Sequence, residues 1–233
     1  MVCIPCGIFL FRHDIRFTFT SKPSNININV NLASNIYNPK GISQTSIDLL
    51  KDIYNSAGSY DTDNMQKLAG SKEAKEVLRN ESSIDVDRIT VCHFYKHSHP
   101  YFPHTDFHTN EKENIVIPLE VVNGPNPYLV IFDQWFDGDG RTWTFRENLN
   151  FEFNKSLKGR PCDFNIHEKT EEDLPSNLYK YLSHHPRNYW HGLTGYAYEF
   201  KVGSYIKFDS KKIHATSRLF CESKLGLTIR YRA

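Results

Sequence analysis

The feature that most constrains the fold is a series of short β-type runs in the second part of the chain. Each run has four to nine residues, is rich in Val, Ile, Phe and Tyr, and is bounded by turn residues such as Asn-Gly-Pro-Asn-Pro at 123–127. Many short strands separated by Gly- and Pro-containing turns are typical of a β-sandwich or barrel. The runs are 88–95, 114–122, 128–134, 142–146, 197–201, 205–208, 213–220 and 225–231.

Residues 1–87 show a different pattern. Polar Asn alternates with Ile and Val over 25–31, which predicts a strand, and apolar residues recur at helical spacing over 45–55. A stretch rich in Lys, Glu, Ala and Leu, 62–80, predicts a second helix. We therefore expect a single domain over 1–233, mainly β with flanking helices (α+β), in which 1–87 supplies a strand and packing helices to a β core at 88–233.

Within that core, residues 147–190 are predicted to be an insertion. The segment contains a short helical pattern after Pro175 and then a polar, aromatic run that ends at Trp190. Because an aromatic segment between two strands of a β core can close over a site, this segment is a candidate for a mobile cover, and a plain surface loop is the alternative.

The charge balance and the apolar runs limit the classes of partner. Lys plus Arg number 28 against 27 Asp plus Glu, so no basic excess exists to bind nucleic acid in bulk. The longest apolar run, 2–11, is too short to cross a membrane and lacks the basic residues that begin a signal peptide. Cys3 and Cys6 have metal-like spacing without a second pair, so we expect reduced thiols and a cytoplasmic protein. The oligomeric state is not encoded in these patterns.

The chemistry-bearing residues are His104, Asp106 and His214. His104-Thr-Asp106 follows the first run of the predicted core, and His214 lies in a run about a hundred residues later. Two imidazoles and one carboxylate form the facial triad of non-haem Fe(II) oxygenases, which leaves the opposite coordination positions open for cosubstrate and O₂. We therefore predict that these three residues bind Fe(II) and form the catalytic centre.

The chain resembles the Fe(II)/2-oxoglutarate-dependent dioxygenase superfamily over about 88–232. The resemblance rests on His104-x-Asp106, the Gly-Ser-x-Ile-x-Phe-Asp run that leads to His214, and Lys-x-Gly-Leu-Thr-Ile-Arg at 224–230. It implies a double-stranded β-helix, that is, a jelly-roll, cupin-like barrel. It also implies an enzyme that uses Fe(II), O₂ and 2-oxoglutarate to hydroxylate a small molecule or a polar side chain, with release of succinate and CO₂.

The resemblance further implies a basic residue that holds the far carboxylate of 2-oxoglutarate. If Cys221-Glu222-Ser223 is a hairpin turn, Arg230 lies opposite His214 and Lys224 lies beside the turn, which favours Arg230. The usual spacing of ten residues after the distal histidine favours Lys224, and Arg218 is a third alternative. Thr228 is expected to donate a second hydrogen bond to the cosubstrate.

Tyr95 occupies a position where relatives sometimes have a tyrosine that touches 2-oxoglutarate, so we include it among the cosubstrate-binding residues.

A function of another class stays open. A cupin-like barrel with the same ligands can bind a metal or a ligand without oxidative turnover. The two functions differ in their need for 2-oxoglutarate, which only the oxygenase consumes.

Overall fold

A computed structural model describes the chain in ten segments. The predicted strand at 25–31, the run at 142–146 and most of 147–190 lie outside them, and the predicted extent of the domain stays a prediction. The described residues are 37–38, 41–57, 66–67, 70–100, 103–106, 111–136, 166–167, 174–185, 187–190 and 192–232.

The described residues form ten strands and three α-helices. The strands are β1 (Tyr37–Asn38), β2 (Gln66–Lys67), β3 (Ile89–His97), β4 (Glu111–Val122), β5 (Tyr128–Phe136), β6 (Ile166–His167), β7 (Gly195–Glu199), β8 (Tyr205–Asp209), β9 (Lys212–Thr216) and β10 (Ser223–Arg232). The helices are α1 (Gln44–Ser56), α2 (Ser71–Leu78) and α3 (Ser176–Leu182).

The strands form two antiparallel sheets. One has six strands in the order β1-β8-β4-β10-β3-β2, and the other has four, in which β5 pairs with β6, β7 and β9. The last four strands alternate between the sheets, because β7 and β9 lie in the four-stranded sheet and β8 and β10 lie in the six-stranded sheet. The prediction of a mainly β protein with flanking helices is therefore confirmed.

The six-stranded sheet is covered on its outer face by α1 and α2. Alternate residues of β10, Leu225, Leu227, Ile229 and Tyr231, are buried in one cluster with residues from both helices. Burial of each such aliphatic side chain stabilises the fold by roughly 1.5–3 kcal/mol. The remaining residues of β10, at even positions, must therefore face the other sheet.

The four-stranded sheet has its own outer cover. Val130 and Phe132 of β5 pack with α3 and with Trp190, which is fully buried and stacks on Phe132 with 5.8 Å between ring centroids. A third cluster combines Leu129 and Ile131 of β5 with residues of β3, β4 and β8, so it lies between the two sheets. Trp190, predicted to belong to a mobile cover, is instead a core residue on an outer face.

The two predicted N-terminal helices differ in outcome. The helix at 45–55 is confirmed as α1, which Ser43 caps by accepting a hydrogen bond from the Ser46 amide at 3.2 Å. The helix predicted to start at residue 62 begins only at Ser71, and β2 occupies part of its length. Gly70, the N-cap residue of α2, has a φ of 79°, a left-handed backbone conformation that glycine adopts without steric strain.

The predicted hairpin between the last two strands is wrong. His214 of β9 pairs with Ile131 of β5, whereas Arg230 of β10 pairs with Asn114 of β4. Residues 217–222 cross from one sheet to the other, and the amides of Ser217 and Glu222 donate to the carbonyls of Tyr128 and Val122 respectively. His214 and Arg230 are therefore not cross-strand neighbours.

None of the helices in the described part of the chain is long and apolar enough to cross a membrane.

Candidate metal centre

The backbone brings His104, Asp106 and His214 together. His104 and His214 exchange two amide-to-carbonyl hydrogen bonds of 2.9 Å each, and the Asp106 amide donates to the Ser210 carbonyl at 3.2 Å. The short segment that holds His104 and Asp106 thus runs antiparallel to the start of β9. This pairing brings together two histidines that are about a hundred positions apart in the sequence.

The three side chains converge at one point. Their potential ligand atoms all lie within 4.8 Å of one another. His104 Nε2 lies 3.7 Å from Asp106 Oδ1, and His214 Nε2 lies 3.5 Å from Asp106 Oδ2. His214 Nδ1 lies 3.1 Å from the Lys212 carbonyl, which can only accept, so Nδ1 carries a proton and Nε2 is the nitrogen that faces Asp106.

The residues present fit a non-haem Fe(II) ion. Two imidazole nitrogens and one carboxylate oxygen, gathered on one side, are the donor set that this metal takes with open positions for other ligands. Among the described residues this is the single cluster of three or more potential metal ligands. The side chains of the triad are at most 15% exposed, so a metal here would be shielded by protein on the ligand side.

Asp106 is held as a carboxylate. Burial acts to raise its pKa, but the contacts with His214, the nearby His104 and the Arg230 guanidinium outweigh burial and bring the pKa below its usual value. Its two oxygens have separate partners in the six-stranded sheet. Arg230 Nη2 donates to Oδ1 at 3.1 Å, and Asn114 Nδ2 donates to Oδ2 at 3.0 Å.

Arg230 was predicted from sequence to hold 2-oxoglutarate. In the structure its guanidinium contacts two carboxylates, Asp106 and Glu111, the latter through Nη1 at 3.2 Å. Its place opposite Asn114 on β4 explains this contact, because both residues face the metal site from the six-stranded sheet. The predicted contact of Arg230 with 2-oxoglutarate stays a prediction.

Lys224 was expected beside a hairpin turn at 221–223, and that hairpin does not form. Lys224 is 2% exposed, because residues 217–222 cross between the sheets and β10 already begins at Ser223. Its Nζ donates to Thr216 Oγ1 at 3.3 Å and lies 4.6 Å from the Phe200 ring centroid. Among the described carboxylates, none pairs with it.

Burial lowers the pKa of Lys224 from 10.5 to about 7. A lysine buried in an apolar region without a carboxylate partner is costly to protonate, because its charge is removed from water and not compensated. The structure thus contains one buried cation paired with carboxylates, Arg230, and one buried amine that lacks a described counterion, Lys224.

Tyr95 and Thr228 both lie on the inner face. Tyr95 is buried over Gly226, where an added Cβ would lie 2.5 Å from the Tyr95 Cζ. Burial raises the pKa of Tyr95, so its hydroxyl is neutral. Thr228, also buried, pairs in register with His93. Arg218, the third basic alternative, is exposed on the crossing segment and stacks on Phe220, so it is not brought to the site.

Two inner histidines were not among the predicted site residues. His93 and His97 share the alternate positions of β3 with Tyr95, and that period-two spacing is the signal that places them inside. Burial and then the Arg230 charge lower the pKa of His93 to about 4. Burial and then the Lys224 charge lower the pKa of His97 to about 3, so both imidazoles are neutral at pH 7.

No protein-family model matches the chain, and no curated protein matches it. The solved structures that are similar in shape include two of low sequence identity. The non-heme alpha-ketoglutarate-dependent epimerase SnoN from nogalamycin biosynthesis aligns with a TM-score of 0.46 and 8% identity, over 84% of this chain and 77% of SnoN. The non-heme alpha-ketoglutarate-dependent carbocyclase SnoK from the same biosynthesis gives 0.45 and 11%, over 84% and 78%. At this similarity neither structure says what the present chain does.

Proposed function

We propose that this protein is an Fe(II)- and 2-oxoglutarate-dependent oxygenase built on a double-stranded β-helix. The observation that carries the proposal is the convergence of His104, Asp106 and His214 on one point between two antiparallel sheets. The alternation of β7 to β10 between the two sheets supports the jelly-roll arrangement. Iron bound there would supply redox chemistry, in which O₂ and 2-oxoglutarate are consumed and succinate and CO₂ are released.

Lys224 is the residue that we propose for the far carboxylate of 2-oxoglutarate. The argument starts from charge. A buried amine that no described carboxylate neutralises is stabilised by an incoming anion, whereas Arg230 already contacts two carboxylates. An anion that reaches Lys224 would raise its pKa from about 7 and fix the charged form.

The position of Lys224 relative to the triad supports the same role. Its hydrogen-bond partner Thr216 lies two residues after His214 on β9, so both side chains point to the same face about 6.6 Å apart. A dicarboxylate held at the metal by its 2-oxo acid end would extend along β9 toward Thr216 and Lys224. Tyr95, with its ring centroid 5.7 Å from Lys224 Nζ, would border the same end.

The chain's own residues perform three tasks in this proposal. His104, Asp106 and His214 hold the metal on one side and leave its other side open to cosubstrate and O₂. Lys224 and Thr216 orient the cosubstrate, while Phe200 and Tyr95 exclude water around the ammonium group. The expected outcome is hydroxylation of a small molecule or a polar side chain at the open side.

The experiment is an anaerobic titration with Fe(II) followed by 2-oxoglutarate. We expect a weak visible charge-transfer band that requires both components, and we expect succinate release once O₂ is admitted. Alanine at His104, Asp106 or His214 should abolish the band, whereas His99→Ala, a change at an exposed histidine of the same region, should preserve it.

Two results would contradict the proposal in different ways. If the three triad variants keep wild-type iron affinity, the metal centre is misplaced. If iron binds at the triad but 2-oxoglutarate neither changes the spectrum nor is consumed, the protein is a metal-binding barrel of the cupin-like type and not an oxygenase.

A further inference from the structure

We infer that Arg230 and Asn114 are positioning residues that fix the carboxylate of Asp106 for metal binding. The inference rests on the proposed metal centre and assigns Arg230 a task different from cosubstrate binding. Arg230 and Asn114 each donate to one oxygen of Asp106, so both would act on the metal through that carboxylate.

Asp106 is held by its backbone and by its side chain, and these bonds together form a clamp. Its backbone amide donates to the carbonyl of Ser210 in the β8–β9 turn, while its side chain accepts hydrogen bonds from Arg230 of β10 and Asn114 of β4. Arg230 and Asn114 are register partners on those strands, so their side chains reach the carboxylate from adjacent strands. With one donor on each oxygen, the carboxylate is fixed in orientation before a metal binds.

The charges around Asp106 explain why Glu111 is part of the same clamp. A carboxylate paired with an arginine alone forms a neutral pair and attracts a divalent cation less strongly. Glu111 contacts the second amino group of Arg230, so the three groups together carry one net negative charge. Arg230 can therefore orient Asp106 without cancelling the negative charge that faces the metal.

Glu111 is itself held in place. The Ser210 hydroxyl donates to its backbone carbonyl at 2.7 Å, and Thr90 contacts its side chain at 3.5 Å and the Arg230 carbonyl at 3.1 Å. Ser210 thus binds both Asp106 and Glu111 through backbone atoms. These bonds fix the distance between the metal ligand and the acidic partner of Arg230.

The test uses Arg230→Lys, which keeps the charge but removes the planar fork that spans two carboxylates. Asn114→Ala is the second variant, because it removes the donor to the other oxygen. Arg88→Lys and Asn126→Ala are matched controls, since Arg88 pairs with Glu113 and Asn126 donates to Glu199, both away from the triad. Co(II) is the probe, titrated anaerobically without 2-oxoglutarate and followed by its visible spectrum and by thermal melting.

We expect Arg230→Lys and Asn114→Ala each to weaken Co(II) binding roughly ten- to hundredfold and to alter the visible spectrum. The two controls should bind Co(II) like the wild type. Since Asn114 is fully buried, its variant is interpreted only if it melts cooperatively, and otherwise Arg230→Lys alone decides.

The outcomes separate this inference from the proposed function. If the wild type and the variants bind no Co(II), the metal centre itself fails. If the wild type binds Co(II), Asp106→Ala does not, and Arg230→Lys keeps wild-type affinity and spectrum, the clamp is overturned while the metal centre stands. A second titration adds 2-oxoglutarate to the Co(II)-loaded proteins. If Arg230→Lys keeps wild-type Co(II) binding but binds 2-oxoglutarate more weakly, the inference is overturned and Arg230 is the cosubstrate residue that the sequence favoured.

Discussion

Replacing Lys224 by methionine should increase the stability of the metal-free protein and weaken 2-oxoglutarate binding. Methionine keeps most of the apolar stem but removes the amine. In the folded protein burial lowers the pKa of Lys224 from 10.5 to about 7. The folded form therefore binds fewer protons than the unfolded form between these values, and the free energy of unfolding rises with pH across that window.

The size of the stability effect follows from the two pKa values. At pH 7 the unfolded lysine is fully protonated and the folded one is half protonated, which corresponds to about 4 kcal/mol of destabilisation from this group at 1.36 kcal/mol per pKa unit. Lys224→Met removes that cost, so the variant should unfold at higher denaturant concentration at pH 7, and the difference from wild type should shrink toward pH 10. Chemical denaturation at several pH values measures it.

The same substitution, Lys224→Met, should weaken the binding of 2-oxoglutarate. Loss of a buried charged partner weakens binding by on the order of 2–4 kcal/mol, roughly thirty- to a thousandfold. At pH 8 a lysine with a pKa of about 7 is mostly neutral, so 2-oxoglutarate should bring in about 0.9 proton per molecule bound. Above pH 7 the wild-type affinity should fall toward tenfold per pH unit.

Anaerobic calorimetry in buffers of different ionisation enthalpy measures this proton uptake. Lys224→Arg is the matched control, because arginine stays protonated and takes up none. Among the described residues, the titratable groups that face Lys224 are Tyr95 and His97 of β3 and Cys221 before β10. The raised pKa of Tyr95 and the pKa of about 3 for His97 keep both outside the pH range, and Cys221→Ser excludes the thiol.

The reasoning fails if Lys224→Met binds 2-oxoglutarate as tightly as wild type, or if wild type and Lys224→Arg show equal proton uptake at pH 8. In the first case the buried amine is not the cosubstrate partner. In the second case the proton comes from another group.

Three further changes test the packing that positions the site. Gly226→Ala would place a Cβ 2.5 Å from the Cζ of Tyr95, so the ring must shift; thermal melting should show about 1–3 kcal/mol of destabilisation, and wild-type stability would contradict the tight fit. Leu227→Ala should cost about 2–5 kcal/mol in chemical denaturation, whereas the half-exposed Leu49→Ala should cost well under that. Trp190→Ala should lower stability by about 3–5 kcal/mol and leave Co(II) affinity unchanged in the folded fraction; an effect on metal binding alone would restore a covering role.

The fold class and the triad could be predicted because their signals are local. Period-two runs bounded by turn residues predict strands, and a His-x-Asp pair after one strand with a histidine on a later one predicts a facial triad. His93 and His97 could have been found by the same period-two spacing, since they alternate with Tyr95 on β3.

The pairing of the last two strands could not be read in this way. Cys221-Glu222-Ser223 has the length and composition of a hairpin turn, but the segment 217–222 carries the chain from one sheet to the other. Whether two successive strands pair depends on which strands the rest of the fold places on each side of the second strand, and that is a property of the whole fold. In this chain β10 is paired on both sides, by β3 and β4, and β9 has no place beside it.

This topology decides what the two buried cations can do. Lys224 and Arg230 share the inner face of β10, and the hairpin argument ranked them by distance from His214 alone. Charge pairing ranks them differently, because Arg230 would have to give up Asp106 or Glu111 to bind another carboxylate. Separation of a buried ion pair costs about 3–5 kcal/mol, whereas an anion that reaches Lys224 relieves a cost already present in the folded protein. One strand face can thus hold the metal ligand at one end and the cosubstrate at the other.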